Sequence, residues 1–321
     1  MRRILCPVDF SDFSRRALDY AYGLARWSGA EVRVLYVDPL VIPPVVATGM
    51  GVPVPLDLSA PPQTQSQIAD QLRAFAMPGA EGITSQSVGL VGDPVREIVK
   101  QATAAEADVL VVGTHGRGGF ERWALGSTTA KLLRKSPCDV LVIPKLARGF
   151  VPEAQIPFKT IVCAVDFSET SRLALEHALA LAEEGGGRVV PVHSVEDLAV
   201  PEGEESLAID VRIGDFLRQR ERDVQQRLQA IVPGAARDRI DPMVIARGRP
   251  APAILKCAID RDADLIVMGS HGRHGIAGFF VGSTTEHVVR EAVCPVLTAR
   301  ASGRTRSGEE ESTLATQAAG S

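Results

Sequence analysis

GTHGRGGFERWALGSTTAKLL, residues 113–133, returns as GSHGRHGIAGFFVGSTTEHVV at 269–289. Both stretches keep Gly-x2-Gly-x9-Gly-Ser-Thr-Thr, while the nine residues between the second and third glycines differ almost freely. Repeated spacing without repeated side chains points to work done by the backbone. The repeat extends outward from here. ADVLVVGTHG (107–116) matches ADLIVMGSHG (263–272) at an offset of 156. RRILCPVDFSDFSRRALDYAYGLA (2–25) lies over KTIVCAVDFSETSRLALEHALALA (159–182) at an offset of 157. The chain is a tandem duplication, and a period of that size sets the architecture before any single element is weighed.

Within each copy the hydrophobic period alternates. A continuous apolar strand (ILCPV, IVCAV) leads into a helix whose apolar residues sit at Ala17, Leu18, Ala21, Leu24 and Ala25. The second copy has the same types at Ala174, Leu175, Ala178, Leu181 and Ala182, one stripe of an amphipathic helix packed on a sheet. A second strand (VRVLYV, VVPVHSV), a variable stretch and a weaker strand near 85–91 or 241–246 follow. DPVREIVKQATAAEA and APAILKCAIDRDA read as helices before the strand at 109–112 or 265–268. The glycine loop, one more helix and a last strand (VLVIP, PVLTA) close each copy. Strands without polar alternation, separated by helices, predict a parallel sheet covered on both faces. Right-handed crossovers then make each copy a five-stranded, doubly wound, Rossmann-like α/β domain.

Residues 146–158 carry two prolines and no periodicity, which puts a linker at 147–157 between domains 1–146 and 158–301. Residues 302–321, almost without apolar content, read as a disordered tail. The Pro-rich stretch 39–66 holds one charge, Asp57, and its counterpart EDLAVPEGEESLAID is acidic. Each reads as a surface connection or as a lid over a site. The last strands are short and apolar, and an exposed edge of that kind invites another edge. The two domains are therefore expected to pack as a pseudo-two-fold pair, with any further homodimer using other surfaces.

A net charge of −4 gives no reason to expect nucleic acid as a partner. No apolar run approaches the roughly 20 residues of a spanning helix, and MRRILCPVDF is not a signal peptide, so no membrane partner is expected. The five cysteines are odd in number and lack zinc-ligand spacing. They read as buried hydrophobes in a reducing compartment, the cytoplasm.

The glycine loop starts at the carboxyl end of a strand and finishes at a helix N-terminus, the edge of an open α/β sheet where ligands bind. Gly113 and Gly116 permit a close approach of backbone to ligand. Gly126, Ser127 and Thr128 then open a helix whose free N–H groups and positive dipole end suit phosphate. Gly269, Gly272, Gly282, Ser283 and Thr284 repeat the set. Ser127 and Ser283 have a second use, as plain N-caps. No lysine precedes the Ser/Thr, so this is not a Walker loop, and Gly-x-Gly-x-x-Gly fails at Glu121. Asp9 and Asp166, at the ends of the first strands, can accept ribose hydroxyls or cap the next helix. Arg117 and Arg273 offer a phosphate contact or a solvated loop cation. His115 and His271 read as turn fillers before general bases, because no orienting partner can be assigned to either.

GTHG-x9-GST and GSHG-x9-GST, with PVDFS and AVDFS at the first strand ends, resemble the universal stress protein family. The resemblance covers about residues 2–145 and 158–300. Family members with this glycine pattern bind ATP, which implies ATP as the ligand here, with Mg²⁺ on the phosphates as an option. By position, Pro7, Val8, Asp9 and Val37 would line adenine and ribose, and the loop residues would hold ribose and phosphates. The second copy offers Ala164, Val165, Asp166 and Ser194, where Ser194 replaces the apolar Val37 beside the base. The expected role is an ATP-binding stress-response or regulatory protein. A slow ATP hydrolase or phosphotransferase and a scaffold with vestigial sites remain open as rivals.

Overall fold

Each half begins with a strand that polar alternation never interrupts, β1 (Arg3–Val8) and β8 (Thr160–Ala164). Such a strand is stable only with both faces covered, and Leu5, Cys6, Ile161 and Cys163 are fully buried. The computed structural model describes residues 1–39, 45–47, 53–55, 65–116, 125–145, 147, 158–195, 206–270 and 281–300. In the first half β1 leads to α1 (Asp12–Ser28), β2 (Glu31–Pro39), the short β3 (Val45–Ala47) and β4 (Pro53–Pro55), then α2 (Gln65–Ala76) and β5 (Ser85–Gly92). α3 (Pro94–Ala104), β6 (Val109–Gly113), α4 (Ser127–Lys135) and β7 (Asp139–Ile143) complete it. The second half runs β8, α5 (Glu169–Gly185), β9 (Arg188–Val195), α6 (Ser206–Ile231) and β10 (Val244–Arg247). It ends with α7 (Pro250–Asp260), β11 (Leu265–Gly269), α8 (Ser283–Glu291) and β12 (Val296–Ala299).

Ser11 caps α1 by accepting from Ser14 N–H, and Ser168 caps α5 in the same way. Both helices stop at a left-handed glycine, Gly29 and Gly186. The predicted stripe is buried at every position except Leu181, which is half-buried against the core.

The strands form one ten-stranded sheet in the order β10-β9-β8-β11-β12-β7-β6-β1-β2-β5. Each half contributes five strands that pair in parallel, β1 beside β2 and β6 in the first, β8 beside β9 and β11 in the second. The doubly wound topology expected from the alternation is therefore present twice. At the centre β7 and β12 pair antiparallel, Val142 with Val296, Leu141 with Leu297 and Val140 with Thr298. Leu141 and Leu297 are equivalent residues of the two copies, so a pseudo-two-fold axis passes between them. The apolar last strands thus find their edge partners in each other. α1, α2, α5 and α6 feed the core on one face of the sheet; α3, α4, α7 and α8 feed the other. Both cores run continuously across the seam.

All five cysteines are free and buried. Burial pushes the thiols of Cys163 and Cys294 up to about 12 and that of Cys138 to about 11. These are inert core residues, as their places beside strands suggested.

Three segments depart from expectation. The Pro-rich stretch 39–66 contains the paired strands β3 and β4. α2 and α6 are helices where only variable connections were expected, and α6 takes up 206–210 of the acidic stretch. Asp139 stands where the other copy has Pro295, at the start of the last strand. It accepts a hydrogen bond across the seam from Arg300 N–H at 2.9 Å, and its carboxylate stands 2.8 Å from His177 Nδ1. The tail at 302–321 and all but Ala147 of the linker lie outside the described residues, as does most of 39–66.

Candidate functional site

At the carboxyl ends of β1, β2 and β6 the first half encloses a cavity of about 700 Å³. That is the size of a small-molecule or cofactor site. Pro7, Val8, Asp9, Val37, Gly113, Gly116, Gly126, Ser127 and Thr128 all line it, so the structure brings the expected residues together. Leu35, Ile98, Val112 and Leu132 give it an apolar floor, and Asp9 with the opening of α4 gives it a polar side. Arg117 lies outside the described residues, as do Gly272, Arg273 and His271 of the second half.

The floor follows from the strands. β1 ends at Val8 and β2 carries Leu35 and Val37 just before its final Asp38-Pro39, so apolar side chains reach the carboxyl edge of the sheet. Asp9 follows at once. Its Oδ1 accepts from Ser11 N–H at 3.1 Å and from Ser11 Oγ–H at 2.5 Å, so it braces the cap residue without being the cap. Asp166 does the same for Ser168, at 2.9 and 2.5 Å. Between carboxylate and cap, Phe10 and Phe167 both sit at φ 64. That left-handed backbone costs an aromatic residue about 1–3 kcal/mol and is kept only where surroundings enforce it. Here the ring is held: Phe10 lies 4.5 Å from Tyr36 and 5.4 Å from Phe75 between ring centres.

The glycines of the loop serve for space, not for positive φ, which none of Gly113, Gly116, Gly126, Gly269 or Gly282 adopts. A Cβ on Gly116 would stand 2.5 Å from Asp9 Oδ2. One on Gly126 would meet Thr114 O at 3.0 Å and His115 Cα at 3.3 Å, and one on Gly113 would meet Phe13 O at 3.0 Å. Gly126 N–H donates to Thr114 O at 2.8 Å, closing the loop on itself, and Gly282 N–H does so to Ser270 O at 3.2 Å.

Gly126 is the N-cap of α4 and Gly282 that of α8, neither with a side-chain capping bond. Ser127 and Ser283 are therefore not caps; they are the first residues of their helices. With no side chain on the first-turn N–H groups, the positive end of α4 opens towards the cavity. His115 Nδ1 lies 3.1 Å from Thr114 Oγ1 and its ring 5.3 Å from that of Phe13. No carboxylate is placed to orient it among the described residues, and none of them form a group of three or more metal ligands.

Two further residues per half were visible in the repeat but not singled out. Thr129 Oγ1 donates to Gly113 O at 2.8 Å and Thr285 Oγ1 to Gly269 O at 3.0 Å, tying helix to strand end. Ser14 and Ser171 donate to Ser11 O and Ser168 O at 2.9 and 3.0 Å and support the Asp turn. All four are identical between copies, which was the available signal.

The second half repeats the frame with a different base side. Ala164 ends β8, and Val165 N–H donates to Val192 O at 2.9 Å. Ser194 Oγ donates to Gly248 O at 2.5 Å, where Val37 in the first half lines the cavity. His193 replaces Tyr36, with its Nδ1 2.6 Å from Val165 O. Gly269 is close-packed on Thr170, 2.8 Å from a virtual Cβ to Oγ1, and Thr284 follows Ser283 at the head of α8.

The class these features define is a tandem, doubly wound α/β protein with a cleft at the carboxyl ends of its strands. The universal stress protein family matches residues 1–144 and 157–300, and the chain belongs to it. A universal stress protein of Mycobacterium tuberculosis is 27% identical over 316 residues, covering 92% of this chain and 94% of the relative. One of Thermus aquaticus is 38% identical over 148 residues, 44% of this chain and 99% of its own. Among solved structures, a universal stress protein from Archaeoglobus fulgidus superposes with a TM-score of 0.60 at 22% identity, covering 93% of this chain and 96% of that one. No helix among the described residues is long and apolar enough to cross a membrane.

Proposed function

We propose that the protein binds adenine nucleotide, ATP, in the first-half cavity and at the equivalent place in the second half, and acts as a regulatory stress-response protein. One observation carries it. An apolar slot formed by Val8, Leu35 and Val37 opens onto Asp9 and then onto the uncapped N-terminus of α4 within one cavity. That sequence of surfaces suits a base, a ribose and a phosphate chain in turn. Ser127 and Thr128 add hydroxyl donors, Asp9 would accept from the ribose hydroxyls, and Mg²⁺ would accompany the phosphates. The second site is the weaker. Ser194 presents its hydroxyl to Gly248 where the first half has the apolar Val37.

Titration of the full chain with ATP by calorimetry should give saturable binding, with ATP preferred to GTP. No heat and no thermal shift at millimolar ATP would overturn the proposal.

A further inference from the structure

Helix α4 has the cavity at one end and the other half of the molecule at its other end. Its nine residues span roughly 13 Å at 1.5 Å per residue. Ser136 ends the ladder by turning extended, ψ 137, with its N–H on Leu132 O. The last carbonyls of α4 therefore need donors from outside the helix. Leu133 O accepts from Arg300 Nη1 at 3.3 Å and Arg134 O from Arg300 Nη2 at 2.6 Å. Arg300 follows β12 in the second half. Its planar fork matches two adjacent carbonyls, and its cation faces the negative end of the helix dipole. Its backbone is fixed separately, through the N–H bond to Asp139 Oδ1.

Among the described residues the device exists on one side only. The residue equivalent to Arg300 in the first copy is Pro144, which has neither a guanidinium nor an N–H. Asp139 is matched by Pro295, and Thr298, whose Oγ1 donates to Val140 O at 3.1 Å across the seam, is matched by Val142. The corresponding carbonyls of α8, on Val289 and Arg290, thus have a proline where α4 has a forked cation.

We propose that Arg300, supplied by the second half, is a positioning residue for the nucleotide cavity of the first half, linking its occupancy to the central seam. The proposal rests on the nucleotide reading above. α4 is the wall that meets phosphate, Thr129 locks its near end to Gly113, and Arg300 locks its far end to the other half. Linkage is reciprocal, so nucleotide on α4 must steady the seam as much as the seam steadies α4. Among the described residues the second half shows no equivalent strut.

Arg300→Ala in the full chain removes the fork but keeps the N–H to Asp139, so the seam retains that clip. With the second site disabled by Gly282→Val, Arg300→Ala should weaken ATP binding about fivefold or more, the scale of a modest coupling. With the first site disabled by Gly126→Val, the same change should leave affinity unaltered. Arg300→Lys, which restores the charge without the fork, should recover part of the loss. Equal affinity in Arg300→Ala, or equal losses at both sites, would overturn the proposal. Should the unaltered chain bind no ATP, the nucleotide reading fails, and amide exchange decides the strut alone. Arg300→Ala should then speed exchange in α4 and not in α8; unchanged α4 exchange would reject it.

Discussion

A single methyl group tests the loop at the residue scale. Gly116→Ala places a carbon 2.5 Å from Asp9 Oδ2, closer than any real Cβ contact, so the carboxylate or the loop must move. ATP affinity should fall while the far-ultraviolet spectrum is kept; unchanged affinity would remove Asp9 and Gly116 from the site. Gly126→Val is expected to abolish binding in the first half, because its side chain would press on Thr114 O and His115 Cα. Asp9→Ala is milder. It loses a hydrogen bond from a ribose hydroxyl to a charged group, about 1–3 kcal/mol of binding. It also unbraces Ser11, so thermal stability should be measured alongside affinity.

At the scale of elements, α4 is held to β6 by one buried side chain. Thr129→Val keeps the shape and removes the donor to Gly113 O, leaving a part-buried acceptor short of a partner. The expected cost is about 1–3 kcal/mol in urea unfolding, with weakened ATP binding. A variant equal to the parent in both would show the tie to be incidental. The elements differ in how plainly the sequence announces them. α1 and α5 were legible because five matching apolar positions recur on one face in both copies. α2 and α6 were not. α2 buries only Ile68, Leu72 and Ala76, and the described part of α6 buries Val224 and Leu228 amid Arg, Glu and Gln. A one-residue-wide stripe at i, i+4 and i+8 is a faint signal in a variable stretch. The loop glycines, Ser127 and Thr128 were legible from the loop, whereas Pro7, Val8 and Val37 came with the family resemblance; the reason for Gly113 and Gly116 was hidden, since the close approach of Phe13 and Asp9 comes from distant chain. The role of Asp139 was hidden for the same reason: its partners lie 38 and 161 positions away.

For the whole molecule, the buried thiols and Tyr20 define a pH response. Burial raises Cys163, Cys294 and Tyr20 to about 12 and Cys138 to about 11, whereas thiols in the unfolded chain ionise near 9. The unfolded state therefore binds fewer protons than the folded state above that pH. Stability is full below about pH 9 and declines as pH climbs towards 11–12. Urea midpoints at pH 7.5, 9 and 10.5 should be level and then fall; a rise at 10.5 would contradict this. If ATP binds as proposed, turnover should be absent or well below the roughly 1–100 s⁻¹ of kinases, because no oriented base stands among the described residues of the cradle. A steady-state rate in that range, lost on Ser127→Ala with Ser283→Ala, would favour an enzyme. The seam between β7 and β12 has one more consequence. In a dimer of identical chains every substitution at the contact arrives twice, so an aspartate introduced there meets whatever its own sequence supplies opposite. Two domains in one polypeptide escape that rule, because a mutation in one copy leaves the other unchanged. Asp139, Thr298 and Arg300 are what such freedom permits, a contact in which donor and acceptor roles have been divided between former equals.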